Sequence, residues 1–314
     1  MKNVRISIWE KDEYTYQGAF GFIPFIKGYL HENDEKRPGM IIAPGGGYVF
    51  LSPVEAELIA KKFYRLGFQV FVCVYTVNTL MKYPLRKQPL KDLAKTVQII
   101  RSHSDEWHVY SNRIVVFGAS AGGHLTGSLS VHFDDIGIEG CRPDAVVMAY
   151  PVVSTEPELI HKASFQALLG DTPDGSEQKY MSVEKNVSPD MPPCFIWHTA
   201  TDSEVSVQNS MKLADACFKN KVLYACHIFS EGEHGMALAD SSVDSRDGEA
   251  DYVFEQQECI MREMENGRLA LSDEQKAALQ RVLSLRNPDY ICTENRQISK
   301  WTEMVMDWLY SFLL

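Results

Sequence analysis

The chain has 314 residues and no apolar run that approaches the length of a membrane span. Its first residues, Met1-Lys-Asn-Val-Arg-Ile-Ser-Ile-Trp-Glu-Lys-Asp12, mix charged with apolar residues and contain no signal-peptide core. A cytoplasmic location without membrane contact is the expectation. Positive charge is scarce: 31 Lys and Arg stand against 42 Asp and Glu, a net charge of −11. That balance argues against a nucleic-acid partner or an anionic membrane surface. Cysteine is sparse and scattered, with seven residues at positions 73, 141, 194, 217, 226, 259 and 292 and neither CxxC nor CxH spacing. Buried reduced thiols suit that pattern better than a disulfide framework or a metal site, and no metal is expected. There is no internal repeat, no low-complexity tract and no linker rich in Gly, Ser or Pro, so residues 1–314 are read as a single domain.

What the chain does have is a hydrophobic fraction of 45% beside 23% charged residues, enough for a sizeable core. After opening strands, Gly39-Met-Ile-Ile-Ala43 reads as a short buried strand running into Pro44-Gly-Gly-Gly-Tyr48. Ser52-Pro-Val-Glu55 predicts a helix start with a capping box, and that helix ends near Gly67. Phe68–Tyr75, Ile114–Phe117, Ala145–Tyr150, Pro193–His198 and Val222–Phe229 read as further strands. Pro89–Ser102, Val205–Phe218 and Ile298–Leu313 read as helices. Strands alternating with helices predict a parallel sheet covered on both faces and entered through antiparallel strands.

Residues 241–296 interrupt this rhythm. Ser241–Ala250 is polar and loop-like. Val253–Glu265 and a segment opened by the capping box Ser272-Asp-Glu-Gln275 and closed before Asn287-Pro288 then predict a helical hairpin. Such an insertion covers an active-site mouth, makes a homo-oligomer contact, or packs its own apolar stripe on the surface.

The chemistry-bearing pattern is Gly118-Ala-Ser-Ala-Gly122, placed between the strand Arg113–Phe117 and a helix beginning at Gly123. Strand, sharp turn and helix are the setting a nucleophile elbow needs, because the turn lifts the serine hydroxyl clear of the sheet edge. Serine needs a base to take its proton and donors to hold the oxyanion that follows. Asp202, just beyond the strand 193–198, and His234, in Ser230-Glu-Gly-Glu-His-Gly235 after the last core strand, supply an acid and a base. The order Ser120, Asp202, His234 is the one α/β-hydrolases use. The backbone N–H groups of Gly46 and Gly47, with that of Ala121, are the candidate oxyanion hole.

Each piece has a plainer reading. Ser120 is a tight turn, Asp202 a helix cap with Glu204 as the acid, and the glycine triplet an ordinary turn. His234 competes with eight other histidines. His124 on the elbow helix reads as a supporting or packing group, and His198 lies inside a strand. A phosphate loop is excluded, since no Gly-Lys-Ser/Thr follows the glycines.

The chain resembles the acetylxylan-esterase-like branch of bacterial α/β-hydrolases, related to the hormone-sensitive-lipase-like esterases. The stretches that carry the likeness are Ala43-Pro-Gly-Gly-Gly-Tyr48, Tyr83-Pro-Leu with Pro89-Leu-Lys-Asp92, and Arg113-Ile-Val-Val-Phe-Gly-Ala-Ser-Ala-Gly-Gly-His-Leu125. Arg142–Pro151, Pro192–Asp202 and Gly232–Met236 extend it over nearly the whole chain except 241–296. It implies the α/β-hydrolase fold: a mostly parallel eight-stranded sheet flanked by helices, here with a helical insertion before the C-terminal helix. It also implies hydrolysis of acetyl esters on xylo-oligosaccharides or similar small esters, without a cofactor, with Ser120 as nucleophile, His234 as base and Asp202 as its orienting acid. Pro44 stands where relatives among the lipases have histidine, as this branch does. A general small-ester esterase, a thioesterase, a peptidase and a ligand-binding scaffold without catalysis are the alternatives.

Overall fold

The computed structural model describes residues 1–239, 250–286 and 294–314. Strands β1 (Lys2–Ser7), β2 (Phe25–Leu30), β3 (Arg37–Ala43), β4 (Gln69–Val74), β5 (Val109–Ala119), β6 (Ala145–Ala149), β7 (Cys194–Thr199) and β8 (Tyr224–Phe229) form one sheet. Their order is β1-β2-β4-β3-β5-β6-β7-β8. The two N-terminal strands pair antiparallel, and from β4 to β8 every neighbour is parallel. The helices are α1 (Ile59–Arg65), α2 (Gln88–Ser102), α3 (Ala121–His132), α4 (Lys162–Leu169), α5 (Gly175–Met181), α6 (Gln208–Lys219), α7 (Glu255–Glu265), α8 (Asp273–Ser284) and α9 (Trp301–Tyr310).

Central strands covered on both faces must be apolar throughout, and β4 and β6 are buried at every position. Register brings Ala43 beside Gly118 and Ala119 beside Ala149, so the strands end together at one edge. In parallel sheets that carboxyl edge is where loops converge and ligands bind. Beneath it, Trp301 of α9 stacks on Phe117 and Trp197 with ring centroids 5.3 and 5.6 Å apart. Burying Phe117 alone contributes roughly 1.5–3 kcal/mol over leaving it exposed.

The predicted elements recur with shifted ends. The predicted strand 222–229 begins at Tyr224, because the Val222 N–H closes a turn onto the Cys217 carbonyl at 3.0 Å. Helix α6 starts at Gln208, three residues after the expected Val205, because Asp202 caps a separate turn through the N–H groups of Glu204 and Val205. The capping box expected at Ser52–Glu55 is a correction. The Ser52 N–H donates to the Gly45 carbonyl at 2.9 Å, and the Glu55 carboxylate turns inward to other partners. Helices α4 and α5 lie in a stretch for which the sequence pattern offered no element.

The hairpin is present as α7 and α8, with the Ser272–Gln275 capping box formed in both directions. Residues 241–249, the Asn287-Pro288 stop and Cys292 lie outside the described residues. The hairpin packs on the Val77–Leu80 loop and the N-terminal segment: Ile260, Leu271 and Leu279 enclose Leu80, and Gln256 bonds Val77 and Gly18. Among the described residues, no helix is long and apolar enough to cross a membrane.

Candidate active site

Strand β5 delivers Ser120 to the carboxyl edge with φ +53° and ψ −119°. A non-glycine residue holds such a backbone only when its surroundings fix it. Here the Ser120 N–H donates to the Ala149 carbonyl at 3.0 Å, and its carbonyl accepts from the His124 and Val152 N–H groups at 3.0 and 3.2 Å. Gly122 is required for close approach, since a Cβ there would lie 2.0 Å from the Ala43 carbonyl oxygen.

The loop after β8 brings His234 onto the serine: its Nε2 lies 2.8 Å from Ser120 Oγ and its Nδ1 2.7 Å from Asp202 Oδ2. Several ties hold that loop. Thr199 and Thr201 hydroxyls donate to the Gly232 carbonyl at 2.8 and 3.1 Å, and the Trp301 indole N–H donates to the Ala237 carbonyl at 2.7 Å. The buried Asp202 divides its work. Oδ1 accepts the Glu204 and Val205 N–H groups at 3.0 and 2.9 Å, while Oδ2 holds His234 and lies 3.2 Å from His198 Nε2. One oxygen of Asp202 thus caps the 202–205 turn and the other meets the imidazole. Burial pushes its carboxyl up, but the hydrogen bonds from His198 and His234 outweigh that and hold it well below the usual carboxylate range. For His234, burial pulls the imidazole down, and the bond and charge of Asp202, then the charges of Glu55 and Glu204, leave it raised above 6.5. Glu204 is exposed and lines the cavity mouth without bonding the imidazole.

Gly46 and Gly47 line the same cavity as Ser120 and His234. Among the described residues no acceptor takes either N–H, whereas the Gly45 N–H is occupied by Glu55 at 2.8 Å. Ala121 opens α3, so its N–H has no carbonyl a turn behind it. Among the described residues, then, the N–H groups of Gly46, Gly47 and Ala121 have no acceptor. Gly46 has φ +120°, and a Cβ there would lie 2.2 Å from the Phe50 carbonyl. The loop is pinned from behind by Tyr48, whose hydroxyl meets His124 Nδ1 at 2.8 Å, while His124 Nε2 meets the Met181 carbonyl at 2.7 Å. Burial pushes His124 down to about 4, which leaves it a neutral supporting group, as its position predicted.

The cavity above Ser120 is about 340 Å³, walled by Val49, Phe50 and Ala163 and edged by His161 and Glu204. Three polar residues of this region escaped sequence reasoning. Glu55 carried a helix-cap signature, Tyr150 only the end of a strand, and His161 no signal. His161 Nδ1 bonds Ser164 Oγ at 2.7 Å, and burial, then the charge of His234, pulls its imidazole down. Among the described residues no group of three His, Cys, Asp or Glu side chains converges as a metal site would require.

The sheet order and its covering helices define the α/β-hydrolase fold. It belongs to the BD-FAE family, whose model matches residues 29–217. It is 40% identical over 264 residues to endo-1,4-beta-xylanase B of Butyrivibrio fibrisolvens, covering 82% of this chain and 41% of that protein. It is 27% identical over 219 residues to an acetylxylan esterase of Xylanibacter ruminicola, covering 67% of this chain and 43% of that one. The chain thus spans about two-fifths of the length of these curated relatives. Among solved structures, an acetyl ester-xyloside bifunctional hydrolase from Caldicellulosiruptor lactoaceticus superposes with a TM-score of 0.70 at 31% identity, over 85% of this chain and 97% of that one. A carboxylesterase from Lactobacillus plantarum WCFS1 shares the fold at a TM-score of 0.71 and 21% identity, over 99% and 98% of the two chains.

Proposed function

We propose that the chain is a serine carboxylesterase that removes short acyl groups, acetyl above all, from acylated xylo-oligosaccharides or related sugars. The observation that carries this is the relay Asp202–His234–Ser120, with distances of 2.7 and 2.8 Å, at the floor of the cavity that Gly46 and Gly47 line. His234 takes the Ser120 proton as Oγ attacks the acyl carbon. The N–H groups of Gly46, Gly47 and Ala121 receive the oxyanion, worth on the order of 3 kcal/mol of transition-state stabilisation per donor. The tetrahedral intermediate collapses as His234 hands its proton to the leaving alcohol, and water then cleaves the acyl-enzyme by the same path. The cavity of about 340 Å³ suits a small acyl group beside part of a sugar ring. The sugar portion rests on the printed activities of the acetylxylan esterase and the acetyl ester-xyloside hydrolase above.

The test is acetate release from acetylated xylo-oligosaccharides beside p-nitrophenyl acetate, with Ser120→Ala as control. Release from both, lost in the variant, is expected. Hydrolysis of the synthetic ester alone would keep the relay and remove the sugar, and a preference for p-nitrophenyl octanoate would remove the short acyl group.

A further inference from the structure

Beside the relay lies a buried carboxylate that it does not use. Glu55 is 5% exposed, and none of its hydrogen-bond partners is a cation: one carboxylate oxygen accepts the Gly45 N–H at 2.8 Å, the other the Tyr150 hydroxyl at 2.7 Å, and the Ser52 hydroxyl bonds the same carboxylate. Taking a carboxylate out of water without a cation is costly, and burial pushes the Glu55 carboxyl up. Gly45 and Tyr150 each touch a different part of the reacting centre, Ser120 and His234 respectively. Gly45 opens the glycine loop, so close that a Cβ on it would lie 2.5 Å from Glu55 Oε2 and 3.0 Å from the Ser120 Cβ. Tyr150 directly follows β6 with φ +36°, a strained backbone for a tyrosine, and sets its ring edge-on to His234 with centroids 4.9 Å apart. On its far side the same ring meets Trp197 at 5.1 Å.

Resting on the serine-esterase reading above, we infer that Glu55 is a positioning residue: its carboxylate joins the oxyanion loop, through Gly45, to the face of His234, through Tyr150. By taking the Gly45 N–H it turns that donor away from the reacting oxygen and fixes the loop from which Gly46 and Gly47 point. By holding the Tyr150 hydroxyl it fixes the ring against which the imidazole rests. Donors and base then keep one mutual distance, where a misplacement of about 1 Å costs roughly 100-fold in rate. The charge adds a second effect, because His234 becomes an imidazolium while the ester is attacked. The groups that face it are Asp202 and Glu204 from the loop after β7, Glu55 and Tyr150 from below, His161 before α4, and Ser120. Glu233, on its own loop, is directed to Ser203 Oγ at 3.5 Å. Glu55 thus shares with Asp202 and Glu204 the task of holding the imidazolium.

The experiment follows p-nitrophenyl acetate hydrolysis by the full chain, with kcat, KM, the acid limb of kcat/KM and Tm measured for Glu55→Gln, Tyr150→Phe and Ser120→Ala. Glu55→Gln keeps the shape and removes the charge. We expect kcat to fall about 30-fold with KM within about twofold, and the acid limb to move to lower pH as His234 loses a neighbouring anion. Tyr150→Phe keeps the ring and cuts one leg of the link, with an expected fall of about fivefold. A Glu55→Gln protein with lowered Tm but unchanged kcat and an unmoved acid limb would reduce Glu55 to a folding element and overturn the inference. If that variant does not fold, a Tyr150→Phe enzyme with wild-type kcat overturns it instead. Full activity in Ser120→Ala sinks the esterase mechanism itself, an outcome distinct from an inert Glu55→Gln beside a dead Ser120→Ala.

Discussion

Two segments of this chain carry the same local signature and use it differently. Ser272-Asp-Glu-Gln275 opens α8 as a reciprocal cap, with the Gln275 N–H on Ser272 Oγ at 3.2 Å and the Ser272 N–H on Gln275 Oε1 at 3.1 Å. Ser52-Pro-Val-Glu55 keeps only half of that pattern, a 3.4 Å bond from the Glu55 N–H to Ser52 Oγ. Its glutamate does not reach back to the Ser52 N–H but takes the Gly45 N–H and the Tyr150 hydroxyl, with the Ser52 hydroxyl beside them. The α8 cap is exposed, and Gln275 keeps it through Oε1 while its side-chain N–H reaches the Leu80 carbonyl at 3.4 Å. The 52–55 segment lies beneath the glycine loop, where buried donors outbid the local partner. A cap is worth about 1 kcal/mol, whereas leaving a buried donor such as the Tyr150 hydroxyl unpaired costs about 1–3 kcal/mol. The same contrast separates the two regions as wholes. Around Ser120, groups from five loops converge on one reacting centre. In the hairpin, buried amides such as Gln256 supply hydrogen bonds to the irregular backbone at Val77.

If that division is real, substitutions near Ser120 remove activity and those in the hairpin remove stability. Ser120→Ala should lower kcat/KM at least ~10⁴-fold with an unchanged Tm, since the residual rate comes from the oxyanion donors and binding alone. Asp202→Asn should cost about 10³–10⁴-fold, measured on p-nitrophenyl acetate. The pH profile sharpens the point. His234 must be neutral to act as base, and its imidazole is raised above 6.5, so wild-type kcat/KM should fall as pH drops through a midpoint above that value. In Asp202→Asn that midpoint should move down, because the anion that favours the imidazolium is gone; an unmoved limb would detach Asp202 from His234.

In the hairpin, Gln256→Ala strips partners from the Val77 N–H and carbonyl and from the Gly18 carbonyl, at 2.9, 2.7 and 3.2 Å. A loss of about 2–3 kcal/mol in urea unfolding is expected, with kcat within about threefold of wild type. Should kcat fall as far as in Glu55→Gln, the hairpin would belong to the site and the division would break. The smallest effect is Ser272→Ala, about 1 kcal/mol in stability and no change in activity, read by the same unfolding curve.

The convergence of Ser120, Asp202 and His234 was legible because each follows the end of its own strand, and a parallel sheet brings all such ends to one edge. Gly46 and Gly47 were legible for the same reason, as the loop after β3. Glu55 and Tyr150 were not, for they are 95 residues apart and their bond exists only once β6 lies beside the loop. The stretch that holds α4 and α5 gave no pattern, and with it went His161.

By itself, then, the sequence determined the sheet, the placement of Ser120, Asp202 and His234 at the ends of their strands, and the hairpin with its cap. These follow from short-range rules: apolar runs, turn residues, and side chains placed at strand ends. Only the tertiary structure decided which of two acceptors Glu55 would serve, which oxygen of Asp202 would cap and which would hold His234, and where the hairpin would lie. Those outcomes depend on which buried donors meet across long stretches of chain, and the cost of leaving one unpaired exceeds the local preference that the sequence displays.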